Sequence, residues 1–481
     1  MKRFLSVAAL VLASPAFLIS QQPTPYKQPP APIVDMFDAE PLPIVSLSPQ
    51  RDRMLLTRRS APSIEEVSAP YVRLAGDRVN PRTNGSWYEI AAKGIALRSV
   101  DGSVDVQIAA PARGKITGAA WSPDGAHVAF YVRGDSGINV WVADATTGGG
   151  RSRQLTRWNL NGAAGQACSW ATTASLICRM VIPQRRQAPR PPDVPTGPVV
   201  QESEGAASGN ATVQDLLQNP SDEALFDYYY TSQIASITLD GNVRAVGKPG
   251  VYTTSRASPD GRWILVQSLH RPYSYQVPRA RFPTLTEIWS ADGRVARTLA
   301  DVELQEKVGN ASDAVPTGLR APAWRADAPA TVVWVEALDG GNPGTAAAKR
   351  DRVRVLGAPF AGEPRTLLET ELRYAGITWG RDTLAIAYED WTRTRKERVW
   401  AINPSTPGAA GRVVFDHSYE DTYADPGAFV TTAGRFGLPV LFTTKDGSKA
   451  FLTGLGASPE GDRPFLDRFD LATARSDRLW R

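Results

Sequence analysis

Histidine, methionine and cysteine are scarce, with three, four and two copies among 481 residues. Cys168 and Cys178 form no Cys-x-x-Cys pair, which excludes a dithiol redox centre and a zinc ribbon. His127, His270 and His417 lie 143 and 147 residues apart, in or beside strand-like segments, where a hydrogen-bonded scaffold role is the favoured reading. The chain lacks His-Glu-x-x-His, a phosphate loop and Gly-x-Gly-x-x-Gly, so neither a metal nor a cofactor is expected. It also lacks the Gly-x-Ser-x-Gly elbow on which many serine hydrolases carry their nucleophile. Beyond the first twenty residues no apolar run is long enough to span a bilayer. The net charge of +5 comes mostly from arginines placed singly rather than in runs, which speaks against nucleic acid as a partner.

Lys2 and Arg3 precede an apolar stretch over 4–13, then small residues Ala16 and Ser20, then polar sequence from Gln21. This pattern predicts a signal peptide over 1–20 and a secreted or periplasmic location, with membrane contact only if that segment is retained. Export permits a disulfide. Cys168 and Cys178 flank a strand-turn-strand pattern, and both a bridge and two buried thiols fit it. Asn84, Asn210 and Asn310 head glycosylation sequons.

What is abundant is the vocabulary of turns and strands: 40 Gly, 38 Pro and 13 Trp. After a Pro-rich leader over 21–43, one phrase recurs: Trp or Ser, a polar turn with Asp and often Gly, then a hydrophobic strand. Its copies begin at Ser48, Trp121, Trp170, Ser258, Trp324, Trp379 and Thr443. Pro fixes φ at the first corner, Asp caps the turn and Gly accepts positive φ, so each phrase marks a β-hairpin. Companion strands such as Asn139-Val140-Trp141-Val142, Glu287-Ile288-Trp289 and Arg398-Val399-Trp400 complete four strands per unit. The expectation is an all-β, seven-bladed β-propeller over 44–481, with an exposed insertion near 184–210. Thr212 is expected to cap a short helix through Leu216 and Leu217, and Ser221 another through Leu225 and Phe226.

Two stretches are denser in charge than a blade requires. His270-Arg271-Pro272-Tyr273-Ser274-Tyr275 with Arg279-Ala280-Arg281 could clamp a carboxylate, or its arginines could pair with turn aspartates. In Glu389-Asp390-Trp391-Thr392-Arg393-Thr394-Arg395 alternation would send Arg393 and Arg395 to one charged outer face of a strand. The acid pairs Asp222/Glu223 and Glu420/Asp421 read as solvated loop residues. A glycosidase would need carboxylates that converge on the channel, which spacing does not show.

The set Pro30-Ala31-Pro32-Ile33-Val34-Asp35, Leu47-Ser48-Pro49-Gln50, Leu225-Phe226-Asp227-Tyr228, His270-Arg271-Pro272-Tyr273-Ser274, Arg281-Phe282-Pro283, Leu372-Arg373-Tyr374 and Pro464-Phe465-Leu466-Asp467 resembles the chloroplast-type glutamyl endopeptidases, a branch of the prolyl oligopeptidase family. The resemblance implies a propeller followed by an α/β-hydrolase domain with a Ser-Asp-His triad, and cleavage after glutamate. The hydrolase domain is expected to be missing from this chain, which leaves no catalytic residue to assign and an inactive propeller half. Its partners would be acidic peptide substrates and the missing hydrolase domain. Arg271 and Arg281 would bind the acidic group, with Arg279, His270 and Tyr273 beside them. The alternative is a stand-alone secreted propeller that binds a protein or ligand.

Overall fold

The computed structural model describes residues 27–146, 150–190 and 213–481. The expected signal peptide, the sequon at Asn210 and most of the expected insertion lie outside these residues. The chain divides into two units, Met1–Leu42 and Pro43–Arg481. In the first, the Pro-rich leader holds a helix, Ala31–Asp38, where no regular element was expected. Pro32 sits in its first turn, where a missing N–H costs nothing and the fixed φ already suits a helix.

The second unit is all-β. Among the described residues its strands form seven four-stranded antiparallel blades in chain order, with a small three-stranded sheet (Val72–Leu74, Asp77–Asn80, Gly85–Ser86) inserted in the first and a two-stranded hairpin in the seventh. The first comprises Ile44–Leu47, Arg53–Arg59, Ala92–Ser99 and Asp105–Gln107, and its strands pair with those of the second at a single position, Ala92 with Ile116. The third and fourth share one long strand, Val243–Ala257. Its start pairs with Thr231–Thr238 and its end with Trp263–Leu269. The seventh closes with Lys449–Gly454, Phe465–Asp470 and Arg475–Trp480.

All seven phrases fall at the turn between the first and second strands of a blade. Ser122 Oγ donates to Asp124 at 2.5 Å and accepts from His127 N–H at 2.9 Å. Ser258/Asp260 and Thr444/Asp446 repeat this network. The tryptophans tie neighbouring blades together. Trp121 Nε1 donates to the Ser46 carbonyl (3.1 Å), Trp170 to Ala120 (3.3 Å) and Trp324 to Arg256 (2.9 Å), in each case on the first strand of the preceding blade. First strands that reach one another in this way form the inner wall of the ring.

Each second strand alternates between two cores, as a period of two demands. Val332 and Trp334 face the fourth blade while Val333 and Val335 face the sixth. Six buried clusters of this kind join the six successive blade pairs. Cys168 and Cys178 pair directly across the first two strands of the third blade and form the disulfide, both sulfurs being buried.

Candidate functional site

In an up-and-down blade, turns after the first and third strands lie at one edge and connections after the second and fourth at the other. The first edge of this ring carries mostly short turns. The second carries the long connections 60–91, 181–230, 270–283, 303–319 and 338–350. The first strand of the first blade starts at that same edge, and the last strand of the seventh ends there.

Several of these connections fold onto one another over a core of their own, with Leu74, Val79, Leu217, Phe226, Tyr230 and Phe282 at its centre. Polar ties hold this platform. Asn161 Nδ2 donates to the carbonyls of Tyr229 (2.9 Å) and Thr231 (3.0 Å), and Arg78 Nε reaches Asp215 at 2.7 Å. Asn84, only 2% exposed, donates its amide to Tyr229 O at 3.0 Å, so this sequon is spent inside the platform. The helix Pro220–Tyr230 starts here, and Asn219 caps it instead of the expected Ser221, accepting from Asp222 N–H at 3.0 Å. Leu216 and Leu217 are not helical; Leu217 is an anchor of the platform core.

The structure gathers the predicted site residues on this platform and separates their roles. The Arg271 guanidinium lies between two carboxylates of that helix, paired with Glu223 and with Asp227 at 2.8 Å. Tyr273 and Tyr275 donate to the same two acids at 2.5 and 2.8 Å. The hydrogen bonds that Arg271 donates to Asp227 and then Glu223 raise its pKa. Burial and then Asp227 raise the Tyr273 pKa. Glu223 is therefore no solvated loop acid. An incoming carboxylate would have to displace one of these two to be held by Arg271. Arg279 pairs with Asp77, which also accepts from Tyr230 at 2.8 Å. Burial pulls the Arg279 pKa down, but the charges and hydrogen bonds of Asp77 and Tyr230 together outweigh it and the net shift is upward.

Arg281 differs. Among the described residues no carboxylate faces it, its Nη1 is buried without a partner, and burial lowers its pKa. Its carbonyl accepts from Gln305 N–H at 2.9 Å, and Gln305 lines a 580 Å³ hollow between residues 304–317 and 340–343. His270 places Nε2 at 2.8 Å from Asp301 and Nδ1 at 2.7 Å from the Arg271 carbonyl, and the Asp301 hydrogen bond raises its pKa. His417 faces Glu397 and the Ser418 carbonyl. Neither imidazole meets a serine hydroxyl among the described residues.

Sequence reasoning missed a second charged centre at the fifth and sixth blades. Arg373, 4% exposed, donates to Asp339 (2.8 and 3.0 Å), Asp351 (3.0 Å) and the Asp313 carbonyl (2.7 Å). Arg350 joins Asp339 at 2.8 Å and lies over the Trp391 ring. The acids stand 34 and 22 residues from Arg373, so no local motif announced them. The neighbouring stretch is not the charged outer face that alternation suggested. Glu389 is fully buried, accepting from Trp400 Nε1 (3.0 Å) and Leu372 N–H (2.9 Å). Residues Thr392–Thr394 form a 3-10 turn, and Arg395 adopts φ 57°, so Arg393 and Arg395 share no strand face.

No protein-family model matches the chain. Curated sequences do. A probable chloroplastic glutamyl endopeptidase of Arabidopsis thaliana is 40% identical over 477 residues, covering 95% of this chain and 49% of that protein. The Oryza sativa subsp. japonica protein of the same description is 37% identical, covering 95% and 50%. The chain thus spans about half the length of the curated relatives it matches. Among solved structures, a prolyl endopeptidase aligns with 92% of this chain and 50% of its own at 11% identity and TM-score 0.45. An acylaminoacyl peptidase of Pyrococcus horikoshii aligns with 92% and 53% at 12% identity and TM-score 0.43.

Proposed function

Because the chain is, over 95% of its length, a sequence relative of the chloroplast-type glutamyl endopeptidases while spanning about half of theirs, we propose that it acts as the propeller half of a glutamate-directed serine peptidase. In this reading a catalytic domain docks on the loop-bearing face, the ring restricts access to unfolded peptide, and Arg281 offers positive charge to the acidic side chain. The observation that carries it is the contrast within one loop: two arginines neutralised by platform carboxylates, and a third with none among the described residues. A guanidinium in that state gains most from a carboxylate brought by a ligand.

Fluorescence anisotropy of a labelled peptide with an internal glutamate, against its glutamine twin, tests this on the chain itself. The glutamate peptide is expected to bind tighter, with the preference lost in Arg281→Ala. Equal binding of the two peptides would overturn the acidic-substrate role and leave a binding scaffold. From the signal-peptide pattern over 1–20 we further propose a location outside the cytoplasm, and N-terminal sequencing of the exported product is expected to begin near residue 21.

A further inference from the structure

The first strand of the seventh blade is interrupted. Phe429 pairs with Leu452, the chain then leaves the sheet, and it returns at Phe442, whose N–H donates to Val430 O at 2.8 Å. Thr443 resumes pairing with Ala450. The excursion is a hairpin, Thr431–Ala433 against Pro439–Leu441, closed by a Gly434 N–H to Leu438 O bond of 2.8 Å. Its reach is unusual for a blade turn. At the tip, a Cβ on Gly437 would lie 2.2 Å from the Pro123 carbonyl, so the hairpin rests against the turn of the second blade. Arg435 Nη2 donates to the Asp327 carbonyl of the fifth blade at 3.1 Å. The tip also bounds a 540 Å³ hollow with Pro49, Thr172 and Pro259, from the turns of the first, third and fourth blades. At its base Leu441 lies beside Gly380 of the sixth. Lower down, Thr431 and Pro439 wall a second cavity of 370 Å³ against Ala323, Trp324 and Ile377 on the inner strands.

A segment rooted in the seventh blade that meets the second and fifth must cross the axis of the ring. We propose that residues 431–441 are a plug that closes the central channel at the short-turn face, so that a peptide can reach the channel only from the loop-bearing face. Among the described residues the plug is held at its tip by one side-chain hydrogen bond, from Arg435, and by contact around Gly437. It rests on the hairpin geometry and not on peptidase activity, so it stands or falls separately from the function proposed above.

The test uses the purified chain. Both native cysteines are engaged in the disulfide, so Ala323→Cys gives one free thiol on the channel wall. Its reaction with a small maleimide and with a bulky polymer-linked maleimide is timed in the parent and in a variant whose residues 432–440 are replaced by Gly-Gly. Shortening the hairpin is expected to speed the bulky reagent by about tenfold or more while the small reagent changes far less, because the short-turn face then becomes a second, direct route to this thiol beside the plug's former seat. Equal rates for the bulky reagent in the two chains would overturn the plug. Should the shortened chain fail to fold by circular dichroism, Arg435→Ala decides. The full hairpin without its anchor is expected to admit the bulky reagent several-fold faster, and an unchanged rate would overturn the proposal.

Discussion

Arg271 and Arg281 stand ten residues apart in one proline-rich loop, and their surroundings assign them different work. Arg271→Ala leaves Glu223 and Asp227 facing each other uncompensated. Because the guanidinium is half exposed, water screens the pair, and a loss of about 1 kcal/mol in urea unfolding is expected. Arg281→Ala, with no carboxylate to abandon, is expected to stay within about 0.5 kcal/mol of the parent. Arg373→Ala sits at the other extreme: two fully buried aspartates each lose one of two counter-charges, Arg350 staying with Asp339 and Arg320 with Asp351, at an expected cost of about 3 kcal/mol by the same measurement. At His270 both ring nitrogens face acceptors, which favours the doubly protonated ring. Its folded pKa therefore lies above the ordinary value of 6.5. The stability it adds is fully present below about pH 6.5 and is lost as pH rises through the raised value. Two-dimensional NMR of the imidazole protons is expected to show His270 titrating higher than in Asp301→Asn, and identical curves would contradict the pairing.

The recurring turn was legible because its chemistry is contiguous. Ser122, Asp124 and His127 lie within six residues, and the hydrogen bonds they make are those the phrase implies. The disulfide was half legible: the flanking pattern put Cys168 and Cys178 on adjacent strands, and their direct register decided between bridge and thiols. The loop platform was not legible, because its ties join distant residues. Arg279 meets Asp77 across 202 positions and Tyr275 meets Glu223 across 52. The expected helix through Leu216 failed for a related reason, since Leu217 is drawn into the platform core. The inter-blade role of the tryptophans also escaped notice, although their place before each turn was plain. Trp324→Phe keeps an aromatic ring but removes the N–H to the Arg256 carbonyl and trims the bicyclic indole, so a loss of about 1 kcal/mol or more in thermal unfolding is expected. No loss would mean that the indole packs without binding.

Across the whole ring, six neighbouring blade pairs share a buried cluster, while among the described residues none joins the first blade to the last. Arg51 over the Phe442 ring is a contact at that seam, and Ile44 and Val45 of the first blade and Trp480 of the last stay exposed. Backbone amides of Ile44–Leu47 and Arg475–Trp480 are therefore expected to exchange with deuterium sooner than those of Ser175–Met180 or Thr331–Ala337, and uniform protection would refute a weak seam. The same construction bears on how the molecule is made. Since every blade is completed by strands from one stretch of the chain, with at most a short insertion between them, none has to wait for a partner from a distant blade. A nascent polypeptide can fold vectorially, adding one blade to the last as it emerges, and the entropy of closing a loop the length of the whole ring is never spent to finish a sheet.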